Sequence, residues 1–153
     1  MSAIDLKTAL PSLLPLAVEW AEVTSWHGTS VGVSLNDAGQ AIARRVGVQQ
    51  PDRIRVAIVD DLPRPSHPML RTAAIEAGFL GPGMAGITLG YSVFVRRGQE
   101  NTRLLSHEFR HVCQYEQAGS IAAFLPVYLQ QIVEVGYRDA PFEIDARSHE
   151  IDG

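Results

Sequence analysis

The sequence predicts an α+β fold, a small sheet followed by three helices, and three observations carry that expectation. Two β-branched, alternating runs, Ile54 to Val59 and Ile87 to Val95, are bounded by prolines and glycines. From Thr102 onward helical signals dominate, with Gly119 and Gly136 standing where helices would stop. No internal repeat, low-complexity tract or long Gly/Ser linker interrupts the 153 residues, so one domain over 1–153 with one core is expected.

Each element has a local reason. Leu13, Leu16, Ala17 and Trp20 share one side of a helix from about Pro11 to Trp26, with Pro11 or Pro15 suited to a first turn, where a missing N–H costs little. Asn36 and Asp37 read as the N-cap of a short helix, Ala38 to Val46, closed by Gly47. The strand Ile54 to Val59 is stopped by Pro63, Pro65 and Pro68. Met69 to Ala77 has helical composition and ends at Gly78, and Gly81, Pro82, Gly83 and Gly86 then make a loop. Ile87 to Val95 reads as strand, with Gly90 as a bend or bulge, and as the strand that lines a cleft where an extended peptide could pair. Helices follow over Leu104 to Gln117 and Ser120 to Val135, and a last one opens after Pro141.

Composition narrows the function. A hydrophobic fraction of 46% with 20% charged residues is that of a folded soluble domain. A net charge of -4 lacks the basic excess that phosphate contacts demand, so nucleic acid and anionic membrane are not expected partners. Cys113 is the only cysteine, which excludes an intramolecular disulfide and a Cys-rich zinc module and makes a reducing, cytoplasmic setting the default. No targeting segment or membrane span is evident in the sequence.

One motif carries chemistry. His107-Glu108-Phe-Arg-His111 is H-E-x-x-H inside a predicted helix, a pattern that random placement of these residue types would create with a probability of roughly 1%. On a helix, positions four apart differ by about 40°, so the imidazoles of His107 and His111 can converge on one cation. Glu108 lies about 100° round from His107, within reach of a water held by that cation, which is the position of a general base in metal-assisted hydrolysis. Ser106, Arg110, Gln114, Gln117 and Arg103 fall on one polar, solvent-facing stripe, and Leu105, Phe109 and Val112 on the opposing apolar one. His27, His67 and His149 are lone histidines, read as surface or capping residues, and Cys113 as a packing residue.

Catalytic zinc usually takes three protein ligands and leaves a fourth position for water. A metzincin extension would need Gly at 114 and His at 117, but both are Gln. The third ligand is therefore expected to be a carboxylate: Glu143 first, since Pro141 can start a helix and Ala146 leaves room for close helix approach, then Glu134, with Asp139 and Asp145 as further candidates.

His107-Glu-Phe-Arg-His111-Val-Cys-Gln114, followed by Gly136-Tyr137 and Pro141-Phe-Glu143-Ile-Asp-Ala146, resembles the small gluzincin metallopeptidases, the minigluzincins and related bacterial HExxHxxQ domains, over about the last third of the chain. The resemblance implies a zincin-like fold, zinc held by His107, His111 and a glutamate of a following helix, and water activated by Glu108 for hydrolysis of a peptide or protein substrate. In membrane-bound heat-shock gluzincins the ligand glutamate opens an E-x-x-A-D pattern; Glu143 and Ala146 match it and Arg147 replaces the aspartate. The family also stabilises the oxyanion with a Tyr, His or Arg, for which Tyr137, Arg147 and His149 are candidates, Tyr137 first. The alternative expectation is a zinc-binding scaffold that holds a peptide without cleaving it.

Overall fold

The structure, a computed structural model, describes residues 5–79, 81 and 83–152. Asp5 caps the first helix, α1 (Leu6–Val31), its carboxylate accepting from the Thr8 backbone N–H and hydroxyl. The helix thus starts earlier and ends later than its periodicity suggests, and Pro11 and Pro15 lie inside it. Both prolines sit on the exposed side, where the carbonyls they leave without a helical donor can be solvated.

A two-residue strand, β1 (Val33–Ser34), leads to α2 (Asp37–Arg45), which Asn36 caps by accepting from Gly39 N–H. A single 3-10 turn (Pro51–Arg53) precedes β2 (Arg55–Val59). After the proline-rich loop, α3 (Pro68–Glu76) is capped by the His67 ring, an outcome that fits the capping role expected of a lone histidine. Of the expected glycine loop, Pro82 lies outside the described residues, and Gly86 is not loop but the first residue of β3.

The expected strand from Ile87 to Val95 is two strands, β3 (Gly86–Leu89) and β4 (Ser92–Arg96), paired antiparallel. Gly90 is the turn between them, at φ +65°, so what reads as a mid-strand bend is a chain reversal. Sheet order is β1-β2-β4-β3, with β2 and β4 parallel and the outer pairs antiparallel. Among the described residues β3 is therefore paired on one side only, and β4 on both.

The last third is helical: α4 (Thr102–Ala118), α5 (Ile121–Val135) and α6 (Pro141–Ser148). Alternation along β4 divides the core. Phe94 joins α1, α3 and α5 in a cluster rich in aromatic rings, whereas Val93 and Val95 join Ala43 of α2, Val46 just past its end, and Phe109, Val112 and Cys113 of α4. Cys113 is buried there, as a packing residue would be. Among the described residues no single helix is long and apolar enough to cross a membrane.

Candidate metal centre

The site is built on α4. Asn101 caps its start by accepting from Leu104 N–H at 2.8 Å, and Gly119 ends it in the left-handed region at φ +99°. The apolar side of α4, Phe109 and Val112, is sealed into the aliphatic cluster. The polar stripe faces solvent at its ends, Arg103 and Gln117, but not in its middle as expected: Ser106 is wholly buried and Gln114 is 3% exposed. The reason is that α6 and the tail beyond it pack over that side. Arg110 spans the seam, donating to Asp145 at 2.8 Å and to the Val46 carbonyl at 2.8 Å.

The same packing brings Glu143, on the first turn of α6, to the two histidines of α4. Glu143 is 1% exposed, and its carboxylate oxygens lie 3.2 Å from His107 Nε2 and 2.9 Å from His111 Nε2. The hydroxyl of Tyr128, on α5, donates to Glu143 Oε2 at 2.6 Å. Ala146 is fully buried, as the close approach of α6 requires.

The outer nitrogens decide which tautomer each ring adopts. His107 Nδ1 faces Glu150 Oε2 at 2.8 Å, and a carboxylate oxygen can only accept. His111 Nδ1 faces Gln114 Oε1 at 2.8 Å; that amide's nitrogen donates to the Phe142 carbonyl and to Asp145, which leaves its oxygen to accept. Both rings therefore carry hydrogen on Nδ1 and present Nε2 inward. In neutral rings those lone pairs would point straight at an anionic carboxylate. Such an arrangement needs positive charge among the three groups, either protons or a cation.

The donor atoms of His107, His111 and Glu143 all lie within 4.8 Å of one another, and the group could hold a metal ion. Ligands about 2.05 Å from a tetrahedral centre are ~3.3 Å apart, close to the two nitrogen–oxygen separations here. Two imidazoles and a carboxylate, each ring held from behind, thus fit a divalent cation in donor type, number and spacing.

The electrostatics without an ion follow from the same geometry. Burial opposes charge on His107, but its hydrogen bond to Glu143 and the Glu108 and Glu143 charges outweigh it and raise the ring to about 9. His111 is raised too, against its burial, by the bond to Glu143. Burial pushes Glu143 up, yet the hydrogen bonds from His107 and His111 hold it well below the usual carboxylate range.

Two spaces meet beside the donor group. An open cleft of about 480 Å³ is bordered by His107, Glu108, Tyr137 and Glu150. A cavity of about 110 Å³ runs inward past Glu108, His111 and Glu143. Met84, Gly86, Glu108 and Tyr137 border both. Glu108 is 5% exposed, and Thr88 of β3 donates its hydroxyl to Glu108 Oε1 at 2.9 Å. Gly86 makes this possible, because a Cβ there would come within 3.3 Å of the Glu108 side chain. Burial first, then the Glu143 and Glu108 charges, push the Tyr137 phenol up, so it stays an O–H donor.

The other sequence candidates go elsewhere. Glu134 is exposed on α5 and accepts from Gln130, Asp139 is exposed, and Asp145 is taken by Arg110 and Gln114. Arg147 donates to the Arg138 carbonyl, and His149 Nδ1 lies 2.8 Å from the Asp145 carbonyl; neither borders the cleft or the cavity.

Four participants went unread in the sequence: Thr88, Tyr128, Glu150 and the bonded role of Gln114. Only Gln114 left a signal, its position one turn after His111. Glu150 is set by the tail, where Ile151 N–H donates to the buried Ser106 hydroxyl at 2.8 Å and Arg103 donates to Glu150 Oε1 at 2.8 Å. No family model, curated protein or solved structure matches this chain.

Proposed function

We propose that this chain is a zinc-dependent peptidase of gluzincin type with a zincin-like fold, in which His107, His111 and Glu143 hold the metal. The observation that carries the reading is the inward convergence of both Nε2 atoms on the Glu143 carboxylate, with each Nδ1 fixed by an acceptor. Two imidazoles and one carboxylate form a donor set of hydrolytic zinc sites, which leave a position open. Bound zinc would supply Lewis acidity to a peptide carbonyl and make water acidic enough to attack near neutral pH.

Glu108 sits where the cleft and cavity meet, and Thr88 fixes one of its oxygens. It accepts the proton of the attacking water and passes it to the departing amine nitrogen. Tyr137, kept protonated, donates to the oxygen of the scissile carbonyl as negative charge develops there. Ala85 and Gly86, where the chain enters β3, border the cleft and would offer backbone groups to an extended peptide.

The test is zinc content by mass spectrometry beside hydrolysis of casein and a mixed peptide library. Wild type and Glu108→Gln should each hold one zinc per chain, with turnover falling ~10²-fold to 10⁴-fold in the variant. Zinc-replete wild type that cleaves nothing would favour the non-cleaving scaffold. Purified protein without stoichiometric zinc would sink both readings.

A further inference from the structure

The far end of α4 borders an open groove of about 800 Å³ that none of the metal donors lines. Glu116 lies there, nine residues beyond His107 on the same helix, which is ~13 Å along its axis. From one side α1 contributes a single row, Glu22, Ser25, Trp26 and Thr29, at positions that share a helix face. From the other come Arg53 of the 3-10 turn and Arg55 at the start of β2. Trp26 is 73% exposed, although tryptophan is on average a highly buried residue.

Both arginines are held in place. The Arg53 guanidinium stacks over the Tyr91 ring, 4.3 Å from its centroid. The Tyr91 hydroxyl in turn donates to Glu116 Oε2 at 2.7 Å, and that carboxylate also accepts from the Gln49 and Gln50 backbone N–H groups. Arg55 Nη1 donates to the Asp52 and Ile54 carbonyls at 2.7 and 2.9 Å. Gly32, just past the end of α1, lets Arg55 sit against that end, since a Cβ there would come within 2.9 Å of the Arg55 Cβ. Among the described residues neither guanidinium forms an ion pair. Three donors already satisfy Glu116, so the groups left without a partner at this end are the two guanidiniums, beside an exposed indole.

We propose that this groove binds an extended, acidic segment of a partner protein, with its carboxylates on Arg53 and Arg55 and an adjoining apolar side chain on the Trp26 indole. Charge complementarity argues for that occupant. Guanidiniums take carboxylates in bidentate pairs, and fixing them beforehand spares the cost of ordering them on binding. Tryptophan and arginine are also the residue types that dominate binding energy at protein interfaces. Glu22 stands at the opposite end of the α1 row, ~10 Å along the axis from Thr29, a span of about three extended residues. Its charge and the chain's net -4 oppose a run of phosphates, which disfavours a nucleic acid in the groove.

The probe is the peptide acetyl-Ala-Phe-Glu-Glu-Ala-amide, titrated by NMR into the full-length Glu108→Gln protein so that it survives any hydrolysis. Binding should be saturable and should shift the Trp26 indole N–H. It should weaken at least tenfold when both glutamates of the probe are replaced by glutamine, or when salt is raised from ~0.05 M to ~0.5 M. Arg53→Gln and Trp26→Ala, both at exposed positions, should each weaken it at least fivefold. Arg53→Lys should not restore it, since an ammonium lacks the planar fork. Absence of saturable binding, equal binding of the glutamine probe, or an affinity unmoved in both Arg53→Gln and Trp26→Ala overturns the inference. Inorganic phosphate that binds the groove in preference to the peptide overturns it in favour of a phosphate site. Each of these outcomes leaves the peptidase reading standing, because the zinc donors lie outside the groove.

Discussion

The rim and the floor of the site hold their histidines by different means. At the rim, His107 is partly solvated and backed by the Glu150 carboxylate, itself paired with the exposed Arg103. At the floor, His111 is buried and backed by the neutral Gln114 amide, with Tyr128 close by on the Glu143 oxygen it faces. The difference follows from solvation. A charged partner is tolerable where water reaches it, but a further carboxylate behind His111, beside the buried Glu143 and Glu108, would be costly. Floor contacts should therefore matter more, per residue removed, than rim contacts.

The largest effects come from the donors shared by both regions. His107→Ala, His111→Ala and Glu143→Ala should each abolish stoichiometric zinc and turnover together, read by mass spectrometry and peptide hydrolysis. His111→Ala should also lower folding stability by about 1–3 kcal/mol in chemical denaturation, since it strands the buried Gln114 oxygen. His107→Ala should cost less. Retained zinc in Glu143→Ala with loss in Glu134→Ala would break the assignment of the third ligand.

Next come the groups that hold the donors. Tyr128→Phe and Gln114→Ala at the floor should weaken zinc binding ~10-fold to 100-fold, measured by chelator competition. Glu150→Gln at the rim should sit at or below the lower end of that range. A larger effect at Glu150 than at Tyr128 and Gln114 would reverse the comparison.

A pH series sharpens it further. His107 is raised to about 9 from an ordinary 6.5, so in zinc-free protein its contribution to stability is complete below about 6.5 and is lost as pH rises through about 9. Glu143 is depressed, so its contribution is present above its ordinary 4.5 and is lost only as pH falls below that. The melting temperature of zinc-free protein should thus decline between pH 6.5 and 9. Zinc affinity should move the opposite way over the same range, because the metal must displace the ring protons. Calorimetry in buffers of differing ionisation enthalpy counts those protons; none released at pH 7 would contradict the raised histidines.

The smallest effects belong to Arg147→Ala and His149→Ala, residues outside both cleft and cavity. Each should leave kcat within about twofold, because neither can touch a substrate there. Tyr137→Phe should lower kcat ~10²-fold to 10³-fold if its hydroxyl serves the oxyanion as proposed. A large loss at Arg147 or His149 with none at Tyr137 would reassign that role.

Local signals carried the helices well and the sheet less well. Caps and glycine stops located α2, α4 and α5 to within a residue or two, because those interactions span only neighbouring positions. The β3–β4 hairpin looks like one strand in the sequence because apolar residues run on both sides of Gly90, and nothing local separates a bend from a reversal. The buried middle of α4's polar stripe is hidden from the sequence for a related reason: a polar face looks the same whether water or another polar face covers it.

The chain's own order of residues was enough to put His107, Glu108 and His111 on one helix and to favour Glu143, since helical spacing and a proline-started helix are written in consecutive positions. Tertiary structure alone decided the rest. It brought Thr88 from β3 to Glu108, Tyr128 from α5 to Glu143, and Glu150 from the tail to His107, across 20, 15 and 43 residues of chain. A buried carboxylate or imidazole must find partners wherever the packed elements present them, and that requirement leaves no mark on spacing along the sequence.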